Sequence, residues 1–162
     1  FLKIFRSTVP SILEAFNPDV LITHLGVDTH YNDPLTQMGL SVQVHLDLAE
    51  IFEECALKYC NERWLALGGG GYLMTVVPRA WSIYLAKMLD VELENELPEH
   101  WRQGIKKKVP HEQTPYTLWD RNDKIELQLL SHPEVAKKMV DYNKHLIDQF
   151  QEKVLPNLTQ AS

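Results

Sequence analysis

The chain has 162 residues, of which 44% are hydrophobic and 23% are charged, and its formal net charge is −6 at pH 7. This length fits one domain with a substantial core, and the composition is ordinary for a soluble globular protein. The acidic balance argues against nucleic acid as a main partner, and no apolar run approaches the length of a membrane span, so neither nucleic acid nor membrane is expected as a partner.

Hydrophobic periodicity predicts alternating helices and strands in the first 95 residues. The first predicted elements are a helix over 2–16, which Pro10 kinks or restarts, and a buried strand over 20–25. A second helix follows, with Ser41 as its cap and an apolar face that runs from Val44 to Tyr59, and then a buried strand over 64–67. The third predicted helix begins near Thr75, and the residues on its core face are Val77, Trp81, Tyr84 and Met88. Two strands joined by a helix, with a loop after each strand, predict an α/β fold with a right-handed β-α-β unit and a parallel sheet.

The chain changes character after about residue 91. Acidic residues over 92–99 and three lysines at 106–108 are typical of a solvated surface, and the prolines in 104–119 predict irregular structure. Ser131-His132-Pro133-Glu134 resembles a capping box that opens a long amphipathic helix ending near Pro156. We therefore divide the chain into residues 1–95 and a carboxyl-terminal extension over 96–162.

The second predicted strand ends in four glycines, Gly68 to Gly71, followed by Tyr72. Consecutive glycines are unfavourable in chain entropy, so they indicate a close approach of the backbone or backbone angles that other residues avoid. The loop lacks the Lys-Ser or Lys-Thr of a phosphate-binding loop, and Leu73 breaks a dinucleotide fingerprint. A tight strand-to-helix connection, with Tyr72 as a packing residue, explains the loop about as well as a ligand site does.

Asp28 follows the first strand as Tyr72 follows the second, so we expect both at the same edge of the sheet. A carboxylate in that position can bind a metal, act as a base or cap the loop. His24 lies within the apolar strand and is expected in the core, whereas His30 is better placed for a pocket. The other histidines are expected at the surface; they are His45, His100, His111, His132 and His145.

Phe1 and the two cysteines add further expectations. The chain begins at Phe1 inside an apolar pattern, so we expect it to be the carboxyl-terminal piece of a longer polypeptide. Cys55 and Cys60 do not form the disulfide framework of a secreted protein, so we expect both in the core and a cytoplasmic location.

Two motifs, in the right order and at the right distance, resemble the histone deacetylase superfamily. They are the stretch from Asn17 to Asp28 with Asp33-Pro34-Leu35, and the stretch from Leu67 to Tyr72 with Arg79-Ala80-Trp81. Within that superfamily, residues 30–35 and the tail look like the bacterial acetoin-utilisation deacetylases. Residues 1–95 would then be the carboxyl-terminal half of the catalytic domain.

The resemblance implies an arginase-like three-layer α/β/α fold and hydrolysis of acetyl-lysine in an acetylated protein substrate, linked to acetoin or acetate metabolism. It implies zinc, or another divalent metal such as iron, as the cofactor. Asp28 matches a metal ligand, Tyr72 the tyrosine that stabilises the oxyanion, Gly70 and Gly71 the backbone of the acyl channel, and Leu35 an apolar residue of the channel wall. Two alternatives stay open, namely an acetylpolyamine or other small-amide deacetylase and a non-catalytic binding module.

The family's remaining ligands and its histidine pair precede Phe1 in the family's order. With one certain ligand, the chain alone is expected to bind zinc poorly and to lack turnover. We also expect self-association, as a homo-oligomer or through exposed strand edges.

Overall fold

A computed structural model of the chain describes residues 1–36, 38–121 and 131–159. The elements, in order, are α1 (Leu2–Phe16), β1 (Leu21–Leu25), α2 (Val44–Tyr59), β2 (Trp64–Gly68), α3 (Val77–Met88), α4 (Glu99–Lys108), α5 (Pro133–Gln149), a π-helical turn (Phe150–Val154) and α6 (Leu155–Thr159). β1 and β2 pair in a small parallel sheet. The predicted mixed α/β class and the order of elements through α3 are confirmed. Within the described residues, no helix is long and apolar enough to cross a membrane.

The described residues form two compact units, and the first comprises residues 1–22, 51–65 and 131–159. Its core includes Phe52 of α2, whose ring stands edge-on to Phe5 of α1 with ring centroids 5.5 Å apart. Helices α5 and α6 pack against α1 in the same unit. α1 runs through Pro10 and ends where Asn17 adopts a left-handed conformation with φ of 50°, as the Asn-Pro pair predicts.

The second unit comprises residues 23–50 and 66–121. Its core packs around α3 and the segments that flank it, and the residues of this cluster are Val42, Val76, Ile83, Leu97 and Leu118. Leu73, Trp101 and Trp119 cover the cluster from outside. All residues predicted for the functional site belong to this unit.

The predicted burial of the strands is wrong. Side chains of β1 alternate, with Leu21 and Leu25 buried and Ile22 60% exposed, and Leu65 in β2 is 49% exposed. His24, expected in the core, points to the exposed face. An isolated pair of strands covers one face only, which gives the two-residue period of a half-buried strand.

Helix boundaries and faces also differ from the predictions. α2 begins at Val44, and the Ser41 carbonyl accepts a hydrogen bond from the Val44 amide in the turn that precedes the helix. The buried face of α3 is formed by Arg79, Ala80, Ile83, Tyr84 and Ala86, whereas the predicted Met88 is 39% exposed. The core face of this helix is therefore rotated from the predicted stripe.

Two predictions for the region after residue 91 need correction, although residues 110–119 contain no helix or strand, as predicted. Residues 99–108 form α4, which buries Ile105 and places three lysines in its last turn, where the helix dipole favours them. α5 begins at Pro133 with His132, rather than the predicted Ser131, at its N-cap, and His132 makes no side-chain cap bond. Proline at the first helical position accounts for this start. The division at residues 95 and 96 stays a prediction.

Candidate active site at the glycine loop

The glycine loop after β2 packs directly on the end of β1. The Val27 amide donates a hydrogen bond to the Gly70 carbonyl at 2.7 Å, which extends the parallel pairing beyond both strands. A Cβ atom on Gly69 would lie 2.6 Å from the nitrogen and 2.7 Å from the Cα of Gly26. Backbone therefore meets backbone at this position, and no side chain fits between the two segments.

Gly70 and Gly71 are required for other reasons. A Cβ on Gly70 would overlap the carboxylate of Asp28, so that carboxylate lies directly against the loop backbone. Gly71 has a φ of 151° and would place a Cβ 2.5 Å from Val27 Cγ2. Gly68 differs, because its Cβ would meet only Trp81 at an ordinary 3.8 Å. Three of the four glycines are thus fixed by the local geometry.

Asp33 holds the two loops of the site together. One oxygen, Oδ2, accepts a hydrogen bond from the Tyr72 amide at 3.1 Å. The other, Oδ1, accepts hydrogen bonds from the amides of Leu35 at 2.9 Å and Thr36 at 3.1 Å. The Asp33 residue is buried, so this arrangement fixes the backbones of Leu35 and Tyr72 through one carboxylate.

The structure thus brings the predicted site residues into one region. Asp28 is half-buried and lies against Gly70. Tyr72 and Leu35 are held at the Asp33 carboxylate, with 53% and 69% of each residue exposed. Their side chains are open to solvent, and their backbones are fixed. This combination suits groups that contact a ligand.

A buried polar network lies beneath this region, centred on Asp120. Its Oδ2 accepts hydrogen bonds from His30 Nε2 at 2.9 Å and from the Val42 amide at 2.8 Å. Its Oδ1 accepts one from Arg79 Nη1 at 2.9 Å. Burial raises the pKa of a carboxyl, but these hydrogen bonds and the Arg79 charge outweigh it and lower the pKa of Asp120 to about 2.

His30 is committed to this network. The Asn32 amide donates to His30 Nδ1 at 3.2 Å, so Nε2 carries the proton that is donated to Asp120. Both ring nitrogens are occupied, and the residue is 2% exposed. The prediction that His30 lines an open pocket is wrong, because a carboxylate more distant in the sequence binds it.

Arg79 connects the network to the glycine loop. Its Nε donates to the Thr75 carbonyl at 2.7 Å, and its Nη1 donates to the Leu118 carbonyl at 2.9 Å. Thr75 in turn donates its amide and hydroxyl to Glu112, at 3.0 Å and 2.7 Å. A continuous set of hydrogen bonds therefore runs from Glu112 through Thr75 and Arg79 to Asp120.

His45, which was predicted at the surface, is instead 1% exposed. Its Nδ1 pairs with the Tyr84 hydroxyl at 3.0 Å, and its Nε2 has no hydrogen-bond partner among the described residues. Burial, with a smaller contribution from His30, lowers the pKa of His45 to about 4, and burial raises the pKa of Tyr84. The other four histidines that were expected at the surface, His100, His111, His132 and His145, are exposed, as predicted.

The described residues do not make a complete metal site. Within residues 1–36, 38–121 and 131–159, no three Asp, Glu, His or Cys side chains are placed to hold a metal ion. Catalytic zinc commonly takes three protein ligands and keeps one open position. Asp28 offers one carboxylate of the suitable chemistry, so this part of the chain can contribute to such a site but does not fit a whole one.

Sequence reasoning missed Asp33, Glu112 and Asp120 as residues that order the site. Asp33 precedes a proline, and its bonds to the amides of residues 35 and 36 are the local pattern typical of a turn aspartate, which could have identified it. Glu112 binds Thr75, which is 37 positions away, and Asp120 binds Val42, which is 78 positions away. No local sequence pattern encodes those pairings.

Comparison with known proteins matches residues 1–88 to the histone deacetylase domain. The chain is 34% identical over 111 residues to the acetoin utilization protein AcuC of Bacillus subtilis (strain 168), covering 68% of this chain and 29% of that protein. It is 37% identical over 103 residues to the AcuC protein of Staphylococcus xylosus, covering 62% of this chain and 27% of that protein. The chain thus spans less than a third of the length of these relatives. The family resemblance seen in the two motifs is confirmed.

Proposed function

This chain belongs to the histone deacetylase family, and we propose that the protein carrying it is a metal-dependent deacetylase that hydrolyses acetyl-lysine in proteins. The observation that carries the proposal is the juxtaposition of the Asp28 carboxylate with Gly70, in a loop that continues into a fixed, exposed Tyr72. The AcuC relatives are named for acetoin utilisation, and we extend that link to this protein.

In this proposal each residue has one role. Asp28 provides a ligand for a divalent metal, zinc or iron, which polarises the amide carbonyl when it is bound. Tyr72 donates its hydroxyl proton in a hydrogen bond to the carbonyl oxygen as negative charge develops there. Gly70 and Gly71 line the acyl channel with their backbone, and Leu35 forms an apolar wall.

The fixed backbone supports this role of Tyr72. An oxyanion donor is effective when it is already oriented before the reaction, because no free energy is then spent on reorganisation. The bond from the Tyr72 amide to the buried Asp33 carboxylate provides that orientation at the backbone. The large exposed fraction of Tyr72 leaves its hydroxyl free to meet a substrate.

Tyr72→Phe in the protein carrying this chain tests the assignment. Loss of one oxyanion donor should lower kcat by roughly 100-fold or more on an acetyl-lysine peptide. Tyr116→Phe is the matched control, because Tyr116 is 72% exposed, lies in the same unit and contacts the Arg102 guanidinium through its ring rather than its hydroxyl. Turnover of Tyr72→Phe close to that of Tyr116→Phe would refute the role.

Asp28→Asn tests the metal ligand without a change of size. We expect less bound metal under limiting supply, measured by elemental analysis, together with lost turnover. Unchanged metal content would contradict the assignment. Comparison of acetyl-lysine peptides with acetylated polyamines on the same preparation then decides the substrate class.

We also propose that the complete domain has the three-layer α/β/α architecture of arginase-like enzymes, into which the parallel β1–β2 pair would fit. A cytoplasmic location is proposed because Cys55 and Cys60 are both buried and form no disulfide with each other.

A further inference from the structure

Residues 95–120, called here the carboxyl segment, lie beyond the residues that match the family domain, which end at 88. The segment pairs with itself, because the Leu97 amide donates to the Tyr116 carbonyl at 2.9 Å and the Leu118 amide donates to the Asn95 carbonyl at 2.7 Å. Leu97 and Leu118 are anchored in the core of the second unit. Side chains that extend from this segment therefore start from a fixed backbone.

Glu112 extends from the carboxyl segment to the end of the glycine loop. Its two oxygens accept hydrogen bonds from the Met74 amide at 3.3 Å, the Thr75 amide at 3.0 Å and the Thr75 hydroxyl at 2.7 Å. These groups lie two and three residues after Tyr72 and just before α3, where a negative charge also interacts favourably with the helix dipole. Glu112 thus fixes the backbone that follows Tyr72 in the chain, whereas the glycines precede Tyr72.

Asp120 extends from the same segment to the other loop. Through His30 it reaches the Asn32 amide, and it binds the Val42 amide directly. The side chain of Asp120 is 6% exposed and is paired with the equally buried Arg79. Arg79 and Thr75 join Asp120 to Glu112, so one network restrains the loop that contains Asp28 and the loop that contains Tyr72.

We propose that the carboxyl segment is a positioning element of the active site, acting through Glu112 on the Tyr72 loop and through Asp120 on the Asp28 loop. The inference rests on the proposed function for its catalytic consequence, but the structural restraint can be measured separately. Neither residue touches the proposed reacting atoms, so both are positioning residues.

The principal test uses Glu112→Ala, since Glu112 is only partly buried and its loss leaves the core intact. Misplacement of a reacting group by a remote substitution can lower the rate by as much as 100-fold, so we expect kcat to fall about 10- to 100-fold with little change in KM. Glu112→Gln keeps one accepting oxygen and should recover part of the loss. Glu99→Gln is the control, because Glu99 bonds Arg102 and Gln103 of its own helix and is 60% exposed in its side chain.

Hydrogen–deuterium exchange gives a readout that does not depend on activity. In Glu112→Ala, the amides of Met74 and Thr75 should exchange about tenfold faster, as expected for loss of a hydrogen bond worth roughly a factor of ten. In Asp120→Ala, which removes both accepting oxygens, the Val42 amide should do the same. Glu99→Gln should leave all three amides unchanged.

Faster exchange together with lowered kcat supports the proposal. Unchanged exchange at Met74 and Thr75 in Glu112→Ala would overturn it, and so would faster exchange with wild-type kcat, which would leave Glu112 a structural role only. A wild-type protein without deacetylase activity would refute the proposed function alone, and the exchange result would still decide whether the carboxyl segment holds the loop.

Discussion

The contact between Gly69 and Gly26 predicts that alanine substitutions at two neighbouring glycines, Gly69 and Gly68, change the free energy of unfolding in opposite directions. In Gly69→Ala the new Cβ would lie 2.6 Å from a backbone nitrogen, about 0.8 Å short of the 3.4 Å at which ordinary contact begins. Because the opposing atoms are backbone, no rotamer change relieves the overlap. Overpacking of this kind destabilises by about 1–3 kcal/mol.

Gly68→Ala is the matched variant, one residue earlier at the end of β2. Its Cβ would meet Trp81 at 3.8 Å, and its φ lies outside the left-handed range. Replacement of such a glycine stabilises by about 0.4–1 kcal/mol, because the unfolded chain loses conformational freedom. The two variants should therefore differ by about 1.4–4 kcal/mol in the free energy of unfolding.

Urea unfolding followed by tryptophan fluorescence measures this difference. With an m-value of about 2 kcal/mol/M, a separation of 2 kcal/mol moves the midpoints about 1 M apart, with Gly69→Ala the lower. Equal midpoints, or a more stable Gly69→Ala, would show that the two backbones do not meet as described.

Two further predictions concern pH and association. The pKa of His45 in the folded chain is lowered to about 4 from 6.5, so the unfolded chain binds more protons between these two pH values. The free energy of unfolding should therefore decline as the pH falls from about 6.5 toward 4. In urea titrations at several pH values, His45→Gln should show a smaller decline. An equal slope in both proteins would contradict the buried neutral state. We expect the chain to self-associate, because the strands expose Ile22 and Leu65. The sedimentation coefficient should rise with protein concentration, and Leu65→Lys should lower it. A monomer at all concentrations would count against this expectation.

The sequence predicted the parts of this structure that depend on local patterns. Apolar periodicity located the first helices and strands, and the glycine run marked the place where two backbones meet. Both cysteines are buried, as predicted. These features follow from neighbouring residues, so a single sequence contains enough information to predict them.

Burial and long-range polar pairing were predicted poorly. β1 read as a buried strand because its residues are apolar, yet Ile22 is exposed, since exposure depends on what covers a face and not on the residue type. His45 looked like any other scattered histidine until the fold placed it against Tyr84. Glu112 and Asp120 were overlooked for the same reason, because their partners are set by tertiary structure.

In the proposed enzyme, the single carboxylate of Asp33 couples the selection of acyl size to the rate of the chemical step. It binds the backbone of Leu35 with one oxygen and that of Tyr72 with the other, so a displacement of one residue is transmitted to the other over two hydrogen bonds. In the proposed enzyme, a bulkier acyl group that pushes the wall at Leu35 outward would also shift the hydroxyl donor. Selection for acyl size and the rate of the chemical step would then change together, and widening the channel by substitution at position 35 would alter kcat as well as substrate preference.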